Sequence, residues 1–164
     1  MTNALTSFFD GSCRKASPRD SGGAISAAWL IESDPPRSGL IELGQGSIHI
    51  AEFGGLLALL EQFRGVQPGK IYVCGDDATV IYLVTREWQT VQPHLLELLR
   101  RARGLIAELE WWGTEVNMVH IGRKENKAHA LLHPPRPPRL WAQPIGPKRR
   151  PGRPRHKINI PEKE

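Results

Sequence analysis

The sequence predicts one α/β domain followed by a basic, proline-rich tail. Three observations carry this reading: apolar runs of strand period alternate with runs of helical period, 164 residues at 40% hydrophobic content suit one core, and composition changes abruptly at Pro134. The domain is expected over residues 1–133 and the linker and tail over residues 134–164.

Leu5 to Phe9 is a short apolar run with two aromatics that stops at Asp10-Gly11-Ser12, as a buried strand ending in a turn would. Ala24 to Ile31 alternates Ile25, Ala27, Trp29 and Ile31 and reads as a second strand. Leu40 to Leu43 reads as a third, after the turn signals Pro35-Pro36 and Gly39. Three short strands in succession predict an antiparallel meander. Over Ala51 to Arg64 the period changes: Phe53, Leu56, Leu57, Leu60 and Phe63 recur at helical spacing. Glu52 then falls in the first turn, where the helix dipole favours a negative charge by ~0.3–1 kcal/mol. Gly54 and Gly55 each cost about 1 kcal/mol relative to alanine in a helix, so something packs closely there, most simply a neighbouring strand.

Ile71 to Cys74 is a buried-strand run closed by Gly75 and the paired acids Asp76-Asp77, either of which can N-cap a helix over Ala78 to Val84. A longer helix follows from about Val91 to Leu109, with Leu95, Leu98, Leu99, Ala102, Leu105, Ile106 and Leu109 on its apolar stripe and Arg100, Arg101 and Arg103 on or near its wet side. Val116 to Ile121 alternates as the last strand, and a short helix from Asn126 to Leu132 carries His129.

Asp10, Glu52, Asp76 and His129 each sit where one of these elements begins or ends. Read together they form one metal site, because three carboxylates held close raise each other's pKa unless a divalent cation offsets the repulsion.

Charge is unevenly spread. Residues 1–134 hold 13 Lys/Arg against 15 Asp/Glu, a net of −2, whereas residues 135–164 hold 9 against 2, a net of +7. The tail is therefore the expected electrostatic anchor for nucleic acid. Nine of the 14 prolines lie between Pro134 and Pro161, and Lys148 to Lys157 contains six Lys/Arg and no acid. Only Cys13 and Cys74 are present, without ligand spacing for a structural zinc, which fits a reducing cytoplasm. No segment approaches the ~20 apolar residues of a membrane span, and Met1 to Phe9 lacks the features of a signal peptide. A soluble, unexported, monomeric protein is expected.

Four blocks, Asp10-Gly11-Ser12, Ala51-Glu52-Phe53, Gly75-Asp76-Asp77 with Val80, and Val119-His120-Ile121-Gly122-Arg123-Lys124-Glu125-Asn126 with Ala128, occur in the order and on the elements of a known family. Over roughly residues 5–133 the chain resembles ribonuclease H type I. Its spacing is like that of the compact archaeal and plant-type branch, without the basic, Trp-rich protrusion of the longer bacterial enzymes. The resemblance implies a five-stranded mixed sheet flanked by helices. It also implies metal-dependent endonucleolytic hydrolysis of the RNA strand of RNA–DNA hybrids, with water as nucleophile and 5′-phosphate and 3′-hydroxyl ends. The ions would be two Mg²⁺ or Mn²⁺ about 4 Å apart. Carried over by position, Asp10 would bridge both ions, Glu52 and Asp76 would complete one site, and His129 would help hold the other.

His129 departs from the family, which has aspartate there. Imidazole suits transition metals better than Mg²⁺, so higher activity with Mn²⁺ is expected. The Argonaute slicer domain and some Holliday-junction resolvases, in the wider superfamily, use three acids and a histidine. Two alternatives follow: a nucleic-acid-binding module that does not cut, or a structure-selective DNA nuclease.

The same resemblance places Ser12, Cys13 and Arg14 near the RNA strand's 2′-hydroxyl and Trp88 near the DNA strand. Asp77 reads as a helix cap in preference to an extra ligand, and His120 as a core or groove histidine. Trp111-Trp112 either stacks on bases or, more commonly for such residues, packs beneath the sheet edge. In the tail, Lys148, Arg149, Arg150, Arg153 and Arg155 around Gly152-Arg153-Pro154 resemble an AT-hook, with Pro151 in place of the usual arginine. This implies binding of AT-rich duplex DNA in the minor groove and nucleoid association; the alternative is a solvated basic tail that binds any polyanion.

Overall fold

The computed structural model of the protein describes residues 4–135 apart from 18, 67 and 91. In chain order the elements are β1 (Ala4–Arg14), β2 (Gly23–Glu32), β3 (Arg37–Gly46), α1 (Ile48–Glu61), β4 (Lys70–Gly75), α2 (Ala78–Val84), α3 (Pro93–Trp111), β5 (Glu115–His120) and α4 (His129–Leu132). The AT-hook-like residues Lys148, Arg149, Arg150, Arg153 and Arg155 lie outside the described residues.

The five strands form one mixed sheet in the order β3-β2-β1-β4-β5. β1, β2 and β3 make the expected antiparallel meander, and β1, β4 and β5 run parallel to one another. One face carries the main core, in which Phe9, Ile71 and Val73 of the sheet pack with Phe53, Leu56 and Leu60 of α1, Val80 of α2 and Leu99 of α3. A smaller cluster on the opposite face joins Phe8, Ala28 and Cys74 to Ala128 and Leu132, and so docks α4 over β1. Burying these side chains is the main favourable term in assembling the layers. Among the described residues no helix is long and apolar enough to cross a membrane.

Several boundaries differ from the sequence reading. β1 does not end at Asp10-Gly11-Ser12; it runs on to Arg14, because pairing with β2 (Asp10 with Ala28, Ser12 with Ser26) continues where pairing with β4 stops at Phe8. Long-range ladder partners override the local turn signal. β3 likewise extends through Gly39, where a Cβ would collide with the Trp29 indole. α1 begins earlier, at Ile48, with the Ser47 hydroxyl accepting from the Ile50 amide at 3.4 Å. Glu52 is therefore in the second turn, beyond the reach of the helix-dipole argument. α4 begins only at His129, and Arg103 is not on a wet face: its guanidinium donates to the Leu83 and Val84 carbonyls at 2.6 and 3.4 Å and closes the C-terminus of α2.

Trp111 and Trp112 are 85% and 59% exposed and do not pack beneath the sheet edge. They lie where α3 leads into β5, at the opposite end of the parallel strands from Asp76. A cavity of about 440 Å³ beside them, lined in part by Phe63, Val66, Leu109 and Trp112, includes none of the site acids.

Helix α1 crosses β1 at backbone contact distance. A Cβ on Gly55 would stand 2.8 Å from the Asp10 carbonyl oxygen and 3.2 Å from that of Ala28, and one on Gly11 would collide with the backbone of Ala51 and Glu52. A neighbouring strand is thus what packs against the Gly54-Gly55 turn. Gly55→Ala is expected to destabilise the protein by roughly 1–3 kcal/mol, the usual range for overpacking. Gly104→Ala in the open middle of α3 is expected to stabilise it by roughly 0.4–1 kcal/mol. Urea midpoints at unchanged m-value measure both.

Candidate metal centre

The centre lies at the carboxyl ends of the parallel strands, where β1 and β4 part. Phe8 pairs with Cys74 in the last register step of β1 with β4. Two residues further, Asp10 on β1 and Asp76 just after β4 stand side by side. Glu52 reaches the same place from α1 because Gly11 and Gly55 let helix and strand meet. One carboxylate oxygen from each of Asp10, Glu52 and Asp76 lies within 4.8 Å of the others.

Asp10 and Glu52 are buried, at 0% and 4% exposure. Asp10 Oδ1 and Glu52 Oε2 have no hydrogen-bond partner among the described residues. Burial, then repulsion from Asp10, Asp77 and Asp76, pushes the Glu52 carboxyl up to about 10. Burial also raises Asp10, against the lowering effect of its hydrogen bond with His129 and with a further push from Asp76.

Asn126 holds the parts together. Its Nδ2 donates to the Phe9 carbonyl at 2.8 Å and to Asp76 Oδ1 at 2.6 Å, while its Oδ1 accepts from the Ala128 amide at 3.2 Å. Strand β1, Asp76 and the start of α4 are thereby tied to one buried side chain. Arg123 lies 3.7 Å from Asp76 Oδ2 but is largely exposed. At the start of α4, His129 Nδ1 is 2.7 Å from Asp10 Oδ2.

Two residues of the centre were not singled out from the sequence. Asn126 appeared only as part of a matching block. His133 ends α4, its ring centroid 4.5 Å from that of His129, and Asp10, His129 and His133 form a second group of ligand atoms within 4.8 Å of one another. The His-x-x-x-His spacing on a short helix is the signal that would have found it. Partial desolvation first, then the adjacent His129, lowers the imidazole of solvent-exposed His133 below the ordinary histidine value.

The other expected residues separate. Ser12 is buried and Arg14 exposed, and strand alternation puts both on the Asp10 face. Cys13 points to the other face, its thiol 3.5 Å from the Gly46 carbonyl oxygen, and so does not join them. Asp77 caps α2 through Oδ1, which accepts from the Val80 amide at 3.1 Å, and its Oδ2 lies 3.1 Å from His49 Nδ1. Both of its oxygens are engaged, as expected of a cap. His120 is exposed, with Nε2 3.3 Å from the Asp76 carbonyl oxygen. Its ring lies against Tyr82 at 5.9 Å, and Tyr82 lies against half-exposed Trp88 at 5.0 Å, so an aromatic row runs from Trp88 to the rim of the centre.

The donors fit a divalent cation. Two buried carboxylates, each with an unpartnered oxygen, and a third beside them make a hard, anionic oxygen set of the kind that Mg²⁺ and Mn²⁺ take.

Fold and centre together define an α/β domain of the ribonuclease H type. The chain belongs to the reverse transcriptase-like family, whose sequence model matches residues 9–132. Among solved structures it is similar to RNase H1 from the halophilic archaeon Halobacterium salinarum, with 24% identity, a TM-score of 0.65 and coverage of 79% of this chain and 94% of that one. The N-terminal RNase H domain of rv2228c from Mycobacterium tuberculosis, solved as a fusion with maltose-binding protein, matches with a TM-score of 0.66 at 18% identity, covering 77% and 92% of the two chains. LC11-RNase H1, solved in complex with an RNA/DNA hybrid, matches with a TM-score of 0.63 at 16% identity, covering 75% and 88%. At these identities the likeness is one of fold. No curated protein sequence matches significantly.

The raised Glu52 carboxyl sets a pH dependence. A group whose pKa is about 10 folded, against an ordinary 4.5, contributes stability that is complete below the lower value and is lost as pH rises through the upper one. Metal-free protein should therefore melt at progressively lower temperature from pH 5 to pH 9, with Asp10 acting in the same direction. Mg²⁺ should oppose that fall, since a ligand that binds only the folded state stabilises it. In Glu52→Gln both the pH slope and the Mg²⁺-induced rise should shrink, as read by thermal melts with and without Mg²⁺.

Proposed function

We propose that the protein is a metal-dependent endonuclease that hydrolyses the RNA strand of RNA–DNA hybrids. The observation that carries this reading is the place of Asp10 in both donor groups, with Glu52 and Asp76 on one side and His129 on the other. A buried carboxylate shared by two cation seats is what hydrolysis with a pair of ions requires. Such ions, when bound, activate water and stabilise the leaving oxygen.

The protein's own groups have separate tasks in this reading. Asp10 would hold both ions, Glu52 and Asp76 would complete one seat, and His129 would contribute to the other. Asn126 orients Asp76 and sets the distance from β1 to α4. Arg14, exposed on the Asp10 face with buried Ser12 beside it on the same face, would meet the RNA strand. The row from Trp88 through Tyr82 to His120 offers aromatic surface to the DNA strand. The hybrid bound by LC11-RNase H1, a protein of the same fold, supports this class of partner.

Residues 1–133 act as the cutting unit and residues 134–164 as an electrostatic anchor that prefers AT-rich duplex DNA, in a monomer held in the cytoplasm near the nucleoid. The net charge of +7 on residues 135–164 supports that division.

Purified full-length protein should cleave an RNA–DNA hybrid to 5′-phosphate and 3′-hydroxyl ends, and faster in Mn²⁺ than in Mg²⁺. Equal or faster cutting in Mg²⁺ contradicts the metal preference. Cutting of four-way DNA junctions alone, or binding with no cutting, contradicts the hybrid nuclease. Asp10→Asn should lower the rate about 1000-fold, the several kcal/mol that metal ions contribute. Removing residues 140–164 should weaken duplex binding and flatten its salt dependence while the intrinsic cleavage step is kept; unchanged affinity and slope would show that the tail is no anchor.

A further inference from the structure

We propose that His133 joins His129 and Asp10 as a ligand of the second ion, and that this imidazole pair makes the seat selective for a transition-metal cation. The inference rests on the reading that the centre holds two ions, and it adds a ligand that neither the motif blocks nor the family pattern supplies.

His129 and His133 lie one helical turn apart at the two ends of α4, so their side chains share a face. The His133 amide still donates to the His129 carbonyl at 3.0 Å, which fixes the spacing although the backbone leaves the helix at that residue. The two rings are tilted by 42° with centroids 4.5 Å apart, and Asp10 Oδ2 lies 2.7 Å from His129 Nδ1. Ligand atoms of the three residues fall within 4.8 Å of one another. Three ligands about 2.0–2.2 Å from one ion and evenly spread stand about 3.5–3.8 Å apart, so side-chain adjustments of about 1 Å or less close the group.

The chemistry then separates the two seats. The Glu52 side offers three carboxylates, the donor set that a hard cation prefers. The histidine side offers one carboxylate and two imidazoles, so it carries less negative charge and softer donors. Mg²⁺ binds weakly to such a set, whereas affinity rises along the series from Mn²⁺ through Co²⁺ to Ni²⁺. Because Asp10 is common to both, the same carboxylate holds a hard seat and a borderline seat together. Histidine at 129 alone would be a poor exchange for aspartate; with His133 beside it, the substitution is completed by a second ligand of the same type.

Co²⁺ is the probe, since its visible absorption reports imidazole coordination, with Mg²⁺ followed by calorimetry on the same full-length protein. The native protein should show a Co²⁺ site with visible absorption. His133→Ala should weaken that site by at least about 10-fold, the lower end of what disturbing a metal ligand's surroundings costs. Its Mg²⁺ affinity and melting temperature should stay near those of the native protein, because His133 is exposed. Glu52→Gln should do the reverse, losing Mg²⁺ and keeping the Co²⁺ absorption. Unchanged Co²⁺ affinity and spectrum in His133→Ala would overturn the proposal, as would a native protein without such a spectrum. A native protein that shows the Co²⁺ site yet cuts no hybrid would uphold this inference while refuting the nuclease reading.

Discussion

Backbone contact between α1 and β1 is the constraint on which the rest of the centre depends. At the crossing, Gly11 and Gly55 leave no side chain between helix and strand, and any Cβ there would stand inside the van der Waals distance of opposing backbone. That contact carries Glu52, on α1, to the side of Asp10, on β1. A helix one side chain farther away would leave the two carboxylates in separate surroundings, each free to find water. The small residues are therefore placed for electrostatics as much as for packing.

The cost of this approach is repulsion in a dry place. Asp10 and Glu52 are both buried, each with an oxygen lacking a partner among the described residues, and Asp76 lies beside them. Unpaired buried charge is normally removed by evolution or neutralised by protonation, as the high pKa of Glu52 reflects. A cation held by the three carboxylates would resolve the same conflict without protons, and would link the stability of the domain to its ion content. The neighbourhood is organised to keep the acids where they are. Asn126 ties Asp76 to the Phe9 carbonyl, and α4, seated by Ala128 and Leu132 on Phe8 and Cys74, brings the histidines to the other side of Asp10.

The sheet topology explains why the centre lies at this end. β1 is shared between an antiparallel partner that continues to Arg14 and a parallel partner whose pairing stops at Phe8. The cleft opens where the two partners part, and the aromatic row from Trp88 to His120 lines one rim of it. At the far end of the parallel strands, Trp111 and Trp112 are exposed beside a separate cavity and take no part in the centre.

The alternation of strand and helix periods, the meander and the capping role of Asp77 were legible in the sequence because they follow from neighbouring residues and short-range hydrogen bonds. Asp10, Glu52, Asp76 and His129 were legible as a group because their motifs stand in a recognisable order. Element ends were misread where a distant partner decided them: β1 passes through an apparent turn because β2 supplies its ladder, and α1 starts a turn early on a serine cap, which moves Glu52 away from the helix dipole. Only the tertiary structure decided that Cys13 turns away from Ser12 and Arg14, that Asn126 spans three elements, and that His133 stands beside Asp10. Local preference is written along the chain, whereas proximity between residues more than a hundred positions apart arises only when sheet register and helix docking bring them together.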